Sequence, residues 1–185
     1  MVNKAFFLDR DGTVNAEIDY LHEPEKTVVL PGVAEAVKMI HAAGFMAIAV
    51  TNQAGVARGY YPEADIHAVH ARIQQILLTQ YGADALIDAW YFCPHHKDFT
   101  GDCSCRKPKP GMLLQAAADF DIDMSKSFML GDRMSDLNAG ANAGCAASCL
   151  VMTGYAGEKE ALEAAQNGFC TAEDLPEAVR VLLAR

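Results

Sequence analysis

The sequence has 185 residues, which is enough for one domain with a sizeable hydrophobic core. Hydrophobic residues make up 51% and charged residues 21%, a globular balance that argues against intrinsic disorder. The formal net charge of −9 argues against a nucleic-acid-binding protein. It does not exclude a small anionic substrate, because a local cluster of cations can override the overall sign.

The sequence predicts a cytoplasmic protein without a membrane partner. No apolar stretch approaches the roughly 20 residues that a membrane-spanning helix needs. Residues 1–4 lack the apolar segment of a secretory signal. In a reducing compartment, clustered cysteines bind metal more often than they form disulfides. Cys145, Cys149 and Cys170 are scattered, and the simplest interpretation is that they are small buried apolar side chains.

Strand and helix patterns alternate along the whole chain. The first half predicts, in chain order, a strand at 5–8, a helix at 33–44, a strand at 46–50, a helix at 62–82 and a strand at 87–92. After an irregular loop, the second half predicts a helix at 112–120, a strand at 128–130, a helix at 135–144, a strand at 147–152 and helices at 158–166 and 176–183. Apolar strands that alternate with helices predict an α/β fold with one doubly wound, mainly parallel sheet.

Polar residues follow four of the predicted strands. Asp9, Thr51, Cys93 and Asp132 each come directly after an apolar run. Ligands of parallel sheets bind outside the carboxyl ends of the strands. The sequence therefore predicts a functional site at this edge of the sheet.

Asp9 and Asp11 are two residues apart at the end of the first predicted strand, so their carboxylates should lie close together. Arg10 is expected to point away from the pair, and Gly12 permits a tight turn. Paired carboxylates repel unless a cation or a shared proton offsets the charge. The pair therefore suggests a nucleophile, an acid/base group and a hard divalent metal ion. A solvated Asp-Gly turn is the alternative for this segment alone.

Three later segments could complete such a site. Thr51 begins a polar stretch whose hydroxyl and backbone N–H groups could grip an anion, or which could be a simple polar loop. Lys107 lies in a basic, proline-stiffened stretch and could neutralise a phosphoryl oxygen, or be solvated. Asp132 suits a Mg²⁺ site completed by Asp9, whereas Asp136 also fits the acid-favouring N-terminus of a helix.

Together these segments resemble the four motifs of the haloacid dehalogenase superfamily phosphatases, in the same order from residue 9 to residue 136. The resemblance implies a Rossmann-like fold, and the short spacing between the first two motifs leaves no room for a large cap domain. It also implies that Asp9 attacks phosphorus and that Asp11 is the general acid and base. Thr51 and Lys107 would hold the phosphoryl group. Mg²⁺ would be bound by Asp9, the backbone carbonyl of Asp11, and Asp132.

The loop at residues 93–110 carries a second candidate metal site. Two short pairs, Cys93 with His95 and Cys103 with Cys105, supply three thiolates and an imidazole. Four such ligands predict a closed, tetrahedral and therefore structural Zn²⁺ site that stiffens the loop. His96 competes with His95, which is preferred because Cys-x-His pairs well with Cys-x-Cys.

The zinc loop, residues 15–20 and residues 51–59 are similar to the D-glycero-D-manno-heptose-1,7-bisphosphate 7-phosphatases. This resemblance implies that residues 1–185 form a single phosphatase domain. The domain would hydrolyse a small sugar bisphosphate to the 1-phosphate. It also implies contacts with substrate by Glu17, Ile18, Asp19, Tyr20, Asn52, Gln53, Ala54, Arg106 and Arg133. Arg106 and Arg133 suit a second phosphate group, because guanidinium matches phosphate oxygens.

Two alternatives stay open from the sequence. Histidinol-phosphate phosphatases share the zinc loop and all four motifs. A receiver-type phosphoacceptor domain also has a doubly wound fold with Asp, Thr and Lys at strand ends, but it would not turn over substrate. We expect the chain to act as a monomer.

Overall fold

The computed structural model describes residues 2–185. Within this range six strands form one sheet in which every neighbouring pair is parallel. The strands are β1 (Ala5–Leu8), β2 (Met46–Asn52), β3 (Ala89–Cys93), β4 (Phe128–Gly131), β5 (Ala147–Val151) and β6 (Cys170–Ala172). Their order across the sheet is β3-β2-β1-β4-β5-β6. The predicted doubly wound α/β fold is therefore confirmed.

Six of the α-helices in the described residues lie in the connections between strands, and the seventh follows β6. They are α1 (Val33–Ala42), α2 (Glu63–Tyr81), α3 (Lys97–Thr100), α4 (Gly111–Phe120), α5 (Met134–Ala143), α6 (Glu158–Gln166) and α7 (Leu175–Leu183). None of the helices in residues 2–185 is both long and apolar enough to span a bilayer. The predicted helices are all present with small differences at their ends, and α3 is a single turn that the sequence pattern did not indicate.

The two faces of the sheet carry separate layers of the core. Phe6 and Leu8 of β1 pack on one side in a cluster that includes residues of α1, α2 and α7. Ala5 and Phe7 pack on the other side in a cluster that includes residues of α4 and α5. Successive side chains of a strand point to opposite faces. The continuous apolar run of β1 is thus explained by burial on both faces.

β1 lies at the point where the chain reverses its direction across the sheet. The strands β2 and β3 continue from β1 toward one edge, and β4, β5 and β6 continue toward the other. Loops that leave β1 and β4 therefore diverge at their carboxyl ends and open a crevice there. Asp9 follows β1 and Asp132 follows β4, so both acids lie at this crevice.

The predicted strands are present with differences of one or two residues at their ends, and the structure adds the strand β6. β3 begins at Ala89 and not at residue 87. The side-chain amide of Gln74 accepts a hydrogen bond from the Ile87 N–H (3.0 Å) and donates one to the Ile87 carbonyl (2.8 Å), which keeps both groups out of the strand ladder. β6 was not predicted, because a strand of three residues at the edge of the sheet, of which only Ala172 is buried, gives no periodic signal.

Adjacent leucines on α2 test the assignment of its buried face. Leu77 is fully buried, whereas Leu78 is 50% exposed. We expect Leu77→Ala to lower the free energy of unfolding by about 2–5 kcal/mol, because it removes buried methyl groups and leaves a cavity. Leu78→Ala is the matched control and should cost less than about 1 kcal/mol. Urea unfolding measures both values, and equal losses would contradict the assignment.

Candidate active site

A cavity of about 470 Å³ opens at the carboxyl ends of the strands. Every residue that the sequence predicted to be catalytic or to contact substrate lines it, and Asp132 lies beside it in the acidic cluster with Asp9. The structure thus brings together residues from five separate segments of the chain. The cavity is also lined by five residues that were not predicted to be catalytic or to contact substrate, namely Leu21, Tyr61, Ser135, Asp136 and Tyr155.

Lys107 is the central cation of the site. It is buried, and its ammonium nitrogen lies 2.8 Å from Asp9 Oδ1 and 2.8 Å from Asp136 Oδ1. It also donates to the Val50 carbonyl at 2.7 Å. These three contacts match the three donors of an ammonium group. Lys107 is therefore held by β2 and by both acids, and it cannot be a solvated loop lysine.

Asn52 fixes the backbone that carries Lys107. Its side-chain amide accepts from the Lys107 N–H (3.0 Å) and donates to the Lys107 carbonyl (3.1 Å). The amide therefore mimics a neighbouring strand and ties the end of β2 to the loop. Asn52 lines the cavity as predicted, but the contacts of its side chain are with the protein.

The burial of these charges shifts their pKa values. Burial raises the pKa of Asp9 to about 7; repulsion from Asp136 adds to the shift, and Lys107 opposes it. Burial likewise raises the pKa of Asp132 to about 6, with repulsion from Asp9 as the second cause. Burial by itself would lower the pKa of Lys107, but the attraction of Asp136 and Asp9 raises it. Three buried acids around one lysine would therefore stabilise a further cation.

The acids fit a divalent metal ion. Carboxylate oxygens of Asp9, Asp132 and Asp136 all lie within 4.8 Å of one another. Asp132 Oδ2 accepts from the Tyr155 N–H at 2.7 Å, whereas Asp132 Oδ1 is buried without a hydrogen-bond partner among the described residues. A buried carboxylate oxygen without a donor is costly unless a ligand satisfies it. This donor set is the one that Mg²⁺ prefers.

Asp136 differs from the other two acids in its contacts and therefore in its role. One of its oxygens contacts Lys107, and the other accepts from the Arg133 N–H at 3.0 Å, at the N-terminus of α5. Both oxygens are therefore engaged with the protein. The predicted helix N-terminal position of Asp136 is confirmed, and its ion pair with Lys107 was not foreseen.

Asp11 is held on both of its oxygens. Arg10 donates from Nε to Oδ1 (3.0 Å) and from Nη2 to Oδ2 (2.8 Å). Asn15 adds a donor to Oδ1 (3.0 Å), and Gln53 adds one to Oδ2 (2.8 Å). The expectation that Arg10 points away was wrong. Arg10 is fully buried, and the tight turn after β1 brings its guanidinium back onto the neighbouring carboxylate.

The outer wall of the cavity, formed by Glu17, Asp19, Arg133 and Tyr155, combines acids with an arginine. Burial raises the pKa of Glu17 to about 7, and repulsion from Asp11 adds to the shift. The guanidinium of Arg133 lies 3.6 Å above the ring of Tyr155, a cation–π contact. The Tyr155 hydroxyl donates to Asp19 at 3.3 Å. The segment after β5 therefore ties the helix α5 side of the cavity to the loop that follows β1.

The candidate zinc ligands converge. One ligand atom from each of Cys93, His95, Cys103 and Cys105 lies within 4.8 Å of the others. Cys105 Sγ is 2.9 Å from Cys93 Sγ, and His95 Nδ1 is 3.3 Å from Cys105 Sγ. Three thiols and an imidazole in such proximity fit a closed tetrahedral metal site. His96 instead caps α3, where its Nδ1 accepts from the Asp98 N–H.

Comparisons with known proteins find relatives over nearly the whole chain. The family model described as HAD-hydrolase-like matches residues 104–178. The chain is 40% identical to the D-glycero-beta-D-manno-heptose-1,7-bisphosphate 7-phosphatase of Pasteurella multocida, over 98% of this chain and 99% of that protein. It is 42% identical to the D-glycero-D-manno-heptose-1,7-bisphosphate 7-phosphatase of Thermosynechococcus vestitus, over 84% and 82% of the two chains.

A solved structure extends the likeness to three dimensions. It is the D,D-heptose 1,7-bisphosphate phosphatase of B. bronchiseptica, complexed with magnesium and phosphate. The TM-score is 0.85 at 36% identity, and the match covers 98% of each chain.

The ion pairs of Lys107 generate a test of the site's electrostatics. Lys107→Met leaves Asp9 and Asp136 buried without a protein counter-charge, so we expect the free energy of unfolding to fall by about 3–5 kcal/mol in metal-free buffer. Lys126→Met is the matched control, because it breaks an exposed pair with Asp123 and should cost less than about 1 kcal/mol. Chemical denaturation measures the free energy of unfolding of both variants. A Lys107→Met protein as stable as wild type would refute the argument.

Proposed function

This chain belongs to the D-glycero-D-manno-heptose-1,7-bisphosphate 7-phosphatase family, and we propose that it is a Mg²⁺-dependent phosphoric monoester hydrolase that converts the heptose 1,7-bisphosphate to the 1-phosphate. The observation that carries the proposal is the arrangement of Asp9, Lys107 and Asp132 in one cavity at the carboxyl ends of β1 and β4. Membership of a phosphatase family argues against the receiver-domain alternative, because a receiver domain does not turn over substrate.

Asp9 is the proposed nucleophile. The Arg10 N–H and Lys107 both contact Oδ1, which leaves Oδ2 as the candidate attacking oxygen. Attack on phosphorus breaks the ester P–O bond and gives an aspartyl-phosphate, while Asp11 gives a proton to the leaving sugar oxygen. Asp11 then takes a proton from water, the water oxygen attacks phosphorus, and the bond to Asp9 breaks to release phosphate.

The charge of the reacting groups must be offset during this chemistry. A phosphate monoester and a carboxylate repel each other, so Lys107 and Thr51 are proposed to hold the transferring phosphoryl group. Asp9, the backbone carbonyl of Asp11, and Asp132 would hold Mg²⁺, which polarises phosphoryl oxygens and neutralises part of their charge. The complex of the B. bronchiseptica relative with magnesium and phosphate supports this cofactor.

The remainder of the substrate would lie against the outer wall of the cavity. Arg106 and Arg133 are proposed to bind the phosphate that is not hydrolysed. Arg106 donates to the His95 carbonyl at 3.2 Å, so its position depends on the candidate zinc loop. Glu17 and Asp19 present carboxylates that can accept hydrogen bonds from sugar hydroxyls. This polar lining favours a phosphorylated sugar.

We also propose that the loop binds one Zn²⁺ ion through Cys93, His95, Cys103 and Cys105. Four protein ligands leave no open position, so the ion would be structural. It would close the loop that carries Arg106 and Lys107 into the cavity.

A kinetic panel tests the proposed reaction. We expect wild-type protein with Mg²⁺ to release phosphate from the heptose 1,7-bisphosphate with a higher kcat/KM than from fructose bisphosphate or histidinol phosphate. Asp9→Asn should lower kcat by more than about 1,000-fold, because the amide is a poor nucleophile. Asp119→Asn is the control, because Asp119 is an exposed acid that does not line the cavity. Wild-type turnover in Asp9→Asn refutes the nucleophile, and a preference for histidinol phosphate refutes the substrate.

Metal analysis tests the zinc proposal. Purified protein should contain about one zinc ion per chain, and Cys105→Ser should lose it because a hydroxyl is a weak zinc ligand. Cys145→Ser is the matched control and should keep the ion, since Cys145 lies outside the four-residue cluster. Elemental analysis by mass spectrometry gives the stoichiometry, and equal zinc in both variants argues against the assigned ligands.

A further inference from the structure

Gln53 lies between Asp11 and Thr51 in the candidate active site. It is only 3% exposed although it lines the cavity. Its side-chain nitrogen donates to Asp11 Oδ2 at 2.8 Å and to Thr51 Oγ1 at 2.9 Å. One amide therefore bridges the proposed acid/base group and the hydroxyl proposed to hold the phosphoryl group.

These contacts use both N–H donors of the Gln53 side chain. A substrate oxygen could receive a hydrogen bond from this amide only after one of the protein contacts breaks. While Asp11 is ionised, its neighbours also determine the orientation of the amide, since a carboxylate can accept but cannot donate. The carbonyl oxygen must therefore face away from Asp11. These observations favour a positioning part for Gln53 over the substrate contact that the sequence analysis predicted.

The Gln53 carbonyl oxygen is satisfied by Tyr61, whose hydroxyl donates to it at 3.0 Å. Burial raises the pKa of Tyr61 to about 12, so the phenol keeps its proton. The ring of Tyr61 stacks on His22, with the centroids 4.9 Å apart. It also fills the space beside Gly55, where a Cβ atom would collide with the ring. Packing of the ring therefore fixes the position of the Tyr61 hydroxyl that donates to Gln53.

We propose that Tyr61 is a positioning residue. It acts through Gln53 to keep the side chains of Asp11 and Thr51 in the relative positions that phosphoryl transfer needs. Without the hydroxyl, the buried carbonyl of Gln53 would have no donor, and rotamers that turn the amide away from Asp11 would be favoured. Asp11 would keep its contacts with Arg10 but lose its tie to Thr51. The inference rests on the proposed function, because it assigns a consequence to the placement of those two residues.

A double-mutant cycle tests the proposal with the substrate that wild-type protein turns over, or with p-nitrophenyl phosphate. Tyr61→Phe removes only the hydroxyl and should lower kcat about three- to tenfold with KM within about twofold of wild type. Gln53→Ala should lower kcat at least as much. The double variant should be no worse than Gln53→Ala alone, because Tyr61 then has nothing to position. Tyr91→Phe, which removes a phenol that donates to Asp119 outside the cavity, is the matched control.

Several outcomes would overturn the proposal. Additive losses in the double variant mean that Tyr61 acts independently of Gln53. A raised KM with unchanged kcat in Gln53→Ala means that Gln53 contacts substrate. Wild-type kinetics in Tyr61→Phe mean that the hydroxyl has no part.

A crystal structure of Tyr61→Phe gives a readout that does not depend on activity. The expected result is a Gln53 amide displaced from Asp11, and an unmoved amide refutes the inference. A wild-type protein without turnover would instead count against the proposed function, so the two failures are distinguishable. Thermal unfolding of each variant separates loss of positioning from loss of fold.

Discussion

The charge balance around Lys107 is the constraint on which the rest of the site depends. An ammonium group and the carboxylates of Asp9 and Asp136 are all removed from water. Such burial is costly, and close pairing with good hydrogen bonds is what offsets it. The sheet provides this geometry, since the Val50 carbonyl at the end of β2 takes the third donor and Asn52 fixes the lysine backbone.

This arrangement separates two tasks between acids of the same type. Asp136 is engaged by Lys107 and by the start of α5, so it neutralises and orients the lysine. Asp132 keeps one buried oxygen without a partner among the described residues, so it can serve a metal ion. Asp11 does not contact Lys107 but accepts hydrogen bonds from Arg10, Asn15 and Gln53. The division follows from hydrogen-bond partners, which are not visible in the spacing of the acids along the chain.

The sequence predicted most of the fold because both faces of the sheet are buried. Continuous apolar runs such as that of β1 indicate strands reliably, and the alternation with helices indicates a parallel sheet. The motif acids Asp9 and Asp132 were also found, since they directly follow the ends of β1 and β4. What the sequence could not predict are partners from distant segments. Tyr61 has no local signature, and the pairing of Asp136 with Lys107 joins residues of two separate connections. Arg10 was misjudged because its direction is determined by the turn that follows it.

Two glycine backbones bound the space that the Asp132 carboxylate occupies. Cβ atoms at Gly12 and Gly154 would both collide with its carboxylate, and the two backbones approach each other closely over it. Gly12 also has a φ of 76°, a conformation that other residues rarely adopt. The position of this acid thus depends partly on two residues that have no functional group. Even an alanine at either position would crowd the Asp132 carboxylate, with the full set of acidic side chains still present.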